Sequence, residues 1–187
     1  IRSGMIDVAR AYVPLEYVEE ITKYFAWFKL NEIHLHINDT GSDGIGYFRL
    51  ESDVPGLTSD EHYTKAEYRE YQKRMLEYGV EVVTEIDTPA HSLAITKVFP
   101  ETALADEPEN VDQLDLSKTD TISLMEGLWK EYLDGAEPVF AEGGTVHIGM
   151  DEYFGNAQDY KAYMQRLISL VTESGRSVRM WGSLSLI

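Results

Sequence analysis

The chain has 187 residues, of which 43% are hydrophobic and 26% are charged, with a formal net charge of −17 and no cysteine. This composition is typical of a globular domain with a sizeable core, and it excludes disulfides and thiolate metal sites. The negative charge disfavours nucleic acid and anionic membrane surfaces as partners, and no apolar run approaches the roughly 20 residues of a membrane span. A neutral or cationic substrate fits this charge better.

Strand and helix patterns alternate from the start of the chain. A short strand is predicted over 5–8, a helix begins at Pro14 and continues through apolar residues at helical spacing to Phe28, and a second strand covers 32–37. A long polar loop that carries Gly41, Gly44 and Gly46 is predicted over 38–63. Thr64 then begins a helix through a capping box with Glu67, and Gly79 ends that helix.

The second half continues this alternation. Its predicted elements are a strand over 80–86, a loop over 88–116 with a short helix over 91–98, a helix over 119–133, a strand over 145–149, a helix over 158–173 that Gly175 ends, and a strand over 177–180. The order predicts an α/β fold, either a doubly wound parallel sheet or a barrel with outer helices. No G-x-G-x-x-G follows the first strand, which weakens a dinucleotide-binding interpretation. No linker divides the chain, so a single domain over 1–187 is predicted.

Polar or aromatic side chains recur at the ends of the predicted strands, where catalytic groups collect in parallel α/β folds. They are Asp7 and Arg10, then His34, His36 and Asp39, then Glu85, Asp87 and His91, then His147, Asp151 and Glu152, and last Trp181. The adjacent acids Asp151 and Glu152 are the most informative of these. Two neighbouring carboxylates repel each other unless one has a partner or keeps a proton, which would give one anion and one acid.

These residues also have structural interpretations. His34 and His36 alternate on one strand face, which favours hydrogen-bonded core histidines. Arg10 could form a surface ion pair, Trp181 could belong to the core, and the two acids could begin a solvated loop.

The absence of two motifs disfavours two kinds of reactive centre. Asp39, His91 and Asp151 could converge on a divalent ion, but no compact ligand spacing such as H-E-x-x-H is present, so no metal and no other cofactor is predicted. A serine nucleophile is poorly supported because no G-x-S-x-G elbow occurs.

Four segments that end or follow predicted strands occur in this order along the chain: 4–10 (GMIDVAR), 31–39 (NEIHLHIND), 85–91 (EIDTPAH) and 147–152 (HIGMDE). They resemble the successive strand-end motifs of glycoside hydrolase family 20, the β-N-acetylhexosaminidases. The resemblance implies a TIM (β/α)8-type barrel. Because only about five parallel strands with outer helices are predicted, and the chain begins at Ile1, we expect a truncated barrel from a longer protein.

The resemblance also implies a reaction, the removal of terminal N-acetylglucosamine or N-acetylgalactosamine from glycans with retained configuration. In this family the substrate's own 2-acetamido oxygen attacks the anomeric carbon, which is an exception to the two-carboxylate pattern. By motif, Glu152 would be the general acid and then the base, and Asp151 would orient the acetamido group. Asp39 and His91 would form a relay toward Glu152, Arg10 would bind the 3- and 4-hydroxyls, and Trp181 would form a wall of the acetamido pocket.

Two mild departures from the family pattern are visible. Ala90 stands where the family commonly has glycine, and Thr40 stands where it often has a second aspartate.

The incomplete strand count leads to further expectations. The chain alone should have little or no hydrolytic activity, and it should self-associate over its open face or edges. A glycan substrate favours a secreted or cell-surface protein over a cytoplasmic one. Two alternatives remain: a glycosidase with a protein nucleophile, for which Asp39 or Asp87 would be the candidate, and a non-catalytic carbohydrate-binding or scaffold module.

Overall fold

The structure, a computed structural model, describes residues 1–104 and 111–182. The strands are β1 (Ser3–Asp7), β2 (Glu32–His36), β3 (Asn38–Thr40), β4 (Gly46–Phe48), β5 (Glu81–Thr88), β6 (Thr145–Gly149) and β7 (Ser177–Arg179). The α-helices are α1 (Leu15–Trp27), α2 (Lys65–Glu77), α3 (Leu93–Val98), α4 (Thr119–Leu133) and α5 (Ala157–Glu173). Strands and helices therefore alternate as predicted, apart from β3 and β4, which follow β2 directly.

Five of the strands form one parallel sheet in the order β1-β2-β5-β6-β7. Each strand lies beside the next strand of this sheet along the chain, whereas a doubly wound sheet would reverse its order at a switch point. The order is that of a barrel wall, with β1 and β7 as the edges of the described sheet. The predicted fold class, a barrel-type wall of five parallel strands with outer helices, is confirmed, and the doubly wound alternative is wrong.

The sheet is strongly curved, and side chains meet across its concave face. Arg179 on β7 donates hydrogen bonds of 2.5 and 2.7 Å to the carboxylate of Glu32 on β2, although β5 and β6 lie between these strands. Neighbouring strands are about 4.8 Å apart, so a flat sheet would separate β2 from β7 by about 14 Å. The ring centroids of His34 and Trp181 are likewise only 5.4 Å apart. These contacts indicate the curvature of a barrel wall.

The two faces of the sheet differ in chemistry. The face toward the helices is apolar, and its buried residues are Ile33, Leu35, Val82, Ile86, Val146 and Ile148. The concave face carries the alternate residues. Most of these are buried and polar, namely Glu32, His34, His36, Glu85, Asp87 and His147, whereas Val83 is buried and apolar. Because successive side chains of a strand point to opposite faces, the alternation in sequence separates a packed core from a polar site.

The helices begin and end where local chemistry predicts. The Thr64 side chain accepts a hydrogen bond of 3.2 Å from the backbone N–H of Glu67, which caps α2. Gly79 and Gly175 follow α2 and α5 with φ of 75° and 79°, a conformation that glycine adopts without strain. Within the described residues, no helix combines the length and apolar character needed to span a bilayer.

The segment 38–63 corrects the prediction of a long polar loop. β3 and β4 pair as an antiparallel hairpin, and Phe48, Leu50 and Tyr63 are fully buried in the core. Strands of three residues are too short to show a period of two, which is why the hairpin was missed. The segment packs against the barrel wall and delivers Asp39 to the end of β2.

Strand boundaries also differ from the prediction by one or two residues. β1 begins at Ser3 rather than at residue 5, β5 continues to Thr88, and β7 ends at Arg179. Part of the loop predicted over 88–116 lies outside the described residues.

Candidate active site

The carboxyl ends of β2, β5 and β6 converge on one imidazole, that of His91. Its Nδ1 donates a hydrogen bond of 3.0 Å to Asp39 Oδ1, and its Nε2 lies 3.5 Å from Glu152 Oε2. The same Nε2 is 3.8 Å from Asp87 Oδ2 and 3.9 Å from Asp151 Oδ1. We call these five residues the rim cluster. Four of the six residues that the sequence assigned to the site meet there.

The backbone in and beside the rim cluster enters the left-handed region at three residues. His91, Met150 and Glu152 have φ of 54°, 84° and 50°, values that residues other than glycine seldom adopt. The fourth such residue in the described chain, Lys29, follows α1. Strained backbone of this kind persists only where surrounding contacts hold it, and it is concentrated at functional sites. The turn after β6 leaves the Glu152 side chain 71% exposed beside the buried acids.

Asp39 and His91 form a charged pair. The Asp39 carboxylate also accepts hydrogen bonds from His36 Nε2 at 2.8 Å and from the backbone N–H of Thr40 at 2.6 Å. Burial opposes its charge, but the hydrogen bonds from His36 and His91 hold the pKa of Asp39 well below its usual range. Burial likewise opposes the charge of His91, and the bond to Asp39 outweighs it and raises the pKa of His91 to about 9. His91 is therefore a cation at neutral pH.

Arg10 joins the rim cluster from the end of β1. Its Nη1 lies 2.6 Å from Asp7 Oδ2, and its Nη2 lies 2.6 Å from Asp39 Oδ2. The Arg10 side chain is 48% exposed. It forms the surface ion pair that the sequence also allowed, and it borders the site.

Asp87 is a buried acid that shares the cation His91 with the other three acids of the rim cluster. It is 1% exposed, and its Oδ1 has no hydrogen-bond partner within residues 1–104 and 111–182. Burial, with repulsion from Glu85, raises the pKa of Asp87 well above its usual range. Gly149 makes room for it, since a Cβ at that position would lie 1.8 Å from Asp87 Oδ1. Asp87 therefore holds its proton more strongly than the ionised Asp39 does.

A second cluster lies deeper on the concave face and centres on Glu85, which is fully buried. Its Oε2 accepts hydrogen bonds from His34 Nε2 at 2.9 Å and His36 Nδ1 at 2.7 Å, and its Oε1 accepts one from Trp181 Nε1 at 2.6 Å. His147 Nδ1 lies 3.0 Å from the same Oε1. Burial opposes the charge, but these histidines hold the pKa of Glu85 well below its usual range. We call these five residues the Glu85 cluster.

The sequence pattern placed Glu85 at a strand end, but it indicated no role for this residue. The signal that could have found it is the parallel register, which places His36 beside Glu85 once β2 and β5 are paired. The interpretation of His34 and His36 as hydrogen-bonded core histidines is confirmed. Trp181 joins this deeper cluster rather than the rim cluster, with its ring against His34 and His147.

The arrangement is suited to proton transfer. An exposed carboxyl, Glu152, faces a cationic imidazole that a buried carboxylate orients, and a second acid stands next to it. His34, Glu85 and His147 also place potential metal-ligand atoms within 4.8 Å of one another. However, the Glu85 oxygens already accept hydrogen bonds from three side chains, and these bonds account for the cluster without an ion.

Comparison with known proteins gives a consistent result. The model of glycosyl hydrolase family 20, catalytic domain, matches residues 1–178. A beta-hexosaminidase of Akkermansia muciniphila is 24% identical over 216 residues, which cover 96% of this chain and 44% of that relative. Beta-hexosaminidase 3 of Arabidopsis thaliana is 31% identical over 157 residues, covering 81% of this chain and 27% of that relative.

Solved structures agree. The GH20 beta-N-acetylhexosaminidase of Streptomyces coelicolor A3(2) superposes with a TM-score of 0.80 at 28% identity, covering 96% of this chain and 39% of that one. A mutant Streptomyces plicatus beta-hexosaminidase in complex with the product GlcNAc gives a TM-score of 0.81 at 26% identity, covering 96% and 38%. The chain therefore spans less than half the length of each of these four relatives.

Proposed function

The chain belongs to glycosyl hydrolase family 20, and from this we propose that, within a complete barrel, it removes terminal β-linked N-acetylglucosamine or N-acetylgalactosamine from glycans. The observation that carries the proposal is the placement of Asp151 and Glu152 side by side after β6, with His91 between Glu152 and Asp39. The names of the relatives support the same substrate class. Because the chain covers less than half of those relatives, the proposal concerns the barrel as a whole.

The reaction follows a retaining, substrate-assisted course. The oxygen of the substrate's 2-acetamido group attacks the anomeric carbon while Glu152 gives its proton to the glycosidic oxygen, and the bond to the leaving group breaks. An oxazoline-type ring results. Water then attacks the anomeric carbon, Glu152 takes its proton, and the acetamido group is released with the configuration retained.

His91 supports the changing charge on Glu152. After the first proton transfer Glu152 is a carboxylate, and the cationic His91, whose Nε2 lies 3.5 Å from Glu152 Oε2, stabilises it. Asp39 fixes the ring through Nδ1, so the second nitrogen faces the reacting acid. The buried pair needs no reorganisation during the reaction, which is what electrostatic catalysis requires.

Asp151 orients the nucleophile. Its carboxylate accepts the N–H of the acetamido group, which aims the acetamido oxygen at the anomeric carbon and offsets the positive charge that develops on that group. The Asp151 side chain is 30% exposed, so a substrate can reach it. Because the aligned geometry matters only while the bond is breaking, this contact is expected to affect turnover more than binding.

Arg10 and Trp181 bind the sugar in this proposal. The half-exposed guanidinium of Arg10, fixed by Asp7 and Asp39, donates to the 3- and 4-hydroxyls. The half-buried ring of Trp181, fixed by its N–H bond to Glu85, forms the wall against the acetamido methyl group.

The 187-residue chain alone is proposed to have little or no activity and to associate with a second copy. The edges of its described sheet, β1 and β7, carry unpaired backbone groups, and a barrel of this type closes with eight strands. Light scattering at high protein concentration tests the association. A monomer under those conditions would contradict it.

The central test is hydrolysis of 4-nitrophenyl N-acetyl-β-D-glucosaminide by this chain and by the chain extended to a complete barrel. Activity is expected only in the extended chain and is abolished by Glu152→Gln. Glu173→Gln, at an exposed position at the end of α5, is the matched control and should retain the rate. Absence of turnover in both chains would overturn the proposal and favour a carbohydrate-binding module.

An oxazoline-mimicking thiazoline inhibitor separates this mechanism from one with a protein nucleophile. Only substrate assistance predicts strong inhibition. The candidate nucleophiles are poorly suited to attack. Asp39 is engaged by Arg10, His36 and His91, and burial raises the pKa of Asp87, which disfavours its carboxylate form. Turnover without inhibition would favour a protein nucleophile.

A further inference from the structure

The Asp39–His91 pair continues into the barrel interior through a second histidine. His36 Nε2 lies 2.8 Å from Asp39 Oδ2, and His36 Nδ1 lies 2.7 Å from Glu85 Oε2. A line of contacts therefore links the rim cluster to the Glu85 cluster. We propose that His36 is a doubly protonated imidazolium that bridges Asp39 and Glu85, and that it is a positioning residue for the relay behind Glu152. The second part rests on the proposed function, and the first does not.

The contacts of His36 determine its number of protons. A neutral imidazole has one N–H and one lone pair, so it donates to only one acceptor. Both ring nitrogens of His36 face carboxylate oxygens at hydrogen-bond distance. A proton on Asp39 or on Glu85 could restore a neutral ring, but both acids also accept bonds from other donors: His91 and the N–H of Thr40 for Asp39, and His34 and Trp181 for Glu85. The proton therefore belongs to the imidazole.

The charges around His36 favour this cation. The groups that face it or its partners are Asp7 from β1, Arg10 after β1, His34 from β2, Asp39 from β3, Glu85 and Asp87 from β5, and His91 after β5. His36 is 3% exposed. Burial opposes its charge, but the hydrogen bonds to Asp39 and Glu85 outweigh it and raise the pKa of His36 to about 10. The two carboxylates that flank it are held ionised by the same contacts.

The bridge orients two parts of the site at once. With His36 bound to Asp39 Oδ2, the other oxygen is left for His91 Nδ1, which turns His91 Nε2 toward Glu152. At its other end, His36 helps fix the Glu85 carboxylate. One buried cation thus couples the proton relay to the carboxylate that holds the Trp181 indole.

The first test reads the protonation of His36 in the unchanged chain and needs no activity. The 187-residue chain is labelled with ¹⁵N-histidine, and the ring nitrogens of His36 are followed by NMR from pH 6 to pH 10, with His36→Gln used to assign the signals. Both nitrogens are expected to be protonated at pH 7 and to remain so until the pH approaches the pKa of about 10. A neutral His36 ring at pH 7 would overturn the proposal.

The second test measures the positioning role in the complete barrel. His36→Gln removes the positive charge of a ring whose centroid lies 6.3 Å from that of His91. The titration of His91 and the alkaline limb of the pH profile of kcat should therefore move up by about one to two pH units. His34→Gln is the matched comparison, because it removes a bond to Glu85 without contacting Asp39, and it should leave that limb in place.

The outcomes separate the two proposals. An unmoved alkaline limb in His36→Gln, or the same shift in His34→Gln, would overturn the positioning role. His62→Gln, in the loop before α2, should retain the wild-type rate and profile. If the barrel does not hydrolyse the substrate at all, the proposed function fails while the NMR titration still decides the state of His36.

Discussion

The helix-facing and concave faces of the sheet are built from alternate residues of the same strands, yet different forces stabilise them. On β2, Ile33 and Leu35 pack into the apolar core, whereas His34 and His36 beside them bind Glu85. Burial of apolar area is non-directional, but each buried polar group needs its own partner. In this wall, residues that stabilise the fold and residues that form the site therefore alternate along each strand.

The concave face itself changes with depth. At its base Glu32 and Arg179 satisfy each other with two hydrogen bonds. At the rim, the Glu152 side chain is 71% exposed, and its Oε2 lies 3.5 Å from His91 Nε2. The degree of pairing falls toward the mouth of the barrel, where a substrate would enter.

The largest effect is expected at the rim. Asp151→Asn in the complete barrel should lower kcat by about 10²–10³-fold and change KM only a few-fold, because the lost charge acts mainly as the bond breaks. Steady-state kinetics with the nitrophenyl substrate measure both constants. Asp120→Asn, at an exposed site in the first turn of α4, is the control for loss of an acid. A large rise in KM at unchanged kcat would contradict the role of Asp151.

The next effect compares the two faces directly. Leu35→Ala truncates a fully buried side chain on the helix-facing side and should lower the free energy of unfolding by about 2–5 kcal/mol. Met5→Ala truncates a side chain that lies on the concave side of β1 and is 46% exposed, and it should cost about 0.5 kcal/mol or less. Urea unfolding of the 187-residue chain gives both values. Equal losses would mean that the faces do not divide stability in this way.

The sequence predicts the apolar face and the helix ends well because their causes are local. The Thr64 cap lies three residues from its donor, and Gly79 acts through its own φ. The strand-end residues of the rim cluster were also predictable, since parallel strands share one carboxyl edge.

The Glu85 cluster could not be predicted, because its contacts join distant parts of the chain. Glu85 is 49 residues from His36, 51 from His34 and 96 from Trp181. Only the register between β2 and β5 and the curvature of the sheet bring these side chains together, and neither is encoded in a local pattern. The order of strands and helices along the chain likewise did not distinguish a barrel from a doubly wound sheet, because long-range pairing sets the order of strands in the sheet.

A third, smaller effect tests whether the Glu85 cluster is a stabilising network. Glu85→Gln removes the charge that three donors share and should lower the free energy of unfolding by about 2 kcal/mol. It should also alter the fluorescence of Trp181, measured against a Trp181→Phe background. Glu77→Gln, at the exposed end of α2, is the control and should change neither quantity. Unchanged stability with altered fluorescence would show that the cluster orients the indole without stabilising the fold.

The smallest effect is the dependence of stability on alkaline pH. Folding raises the pKa of His91 to about 9 from a usual value of 6.5, so its contribution is fully present below pH 6.5 and is lost as the pH rises through about 9. The loss should be on the order of 1 kcal/mol, since neighbouring charges share it. Thermal unfolding between pH 6 and pH 10 should show a smaller decline in His91→Gln than in the unchanged chain, while His62→Gln should keep the full decline. Leu35 and its apolar neighbours have no titratable group, so the core cannot cause the decline. A decline that His91→Gln leaves unaltered would place the pH sensitivity outside the rim cluster.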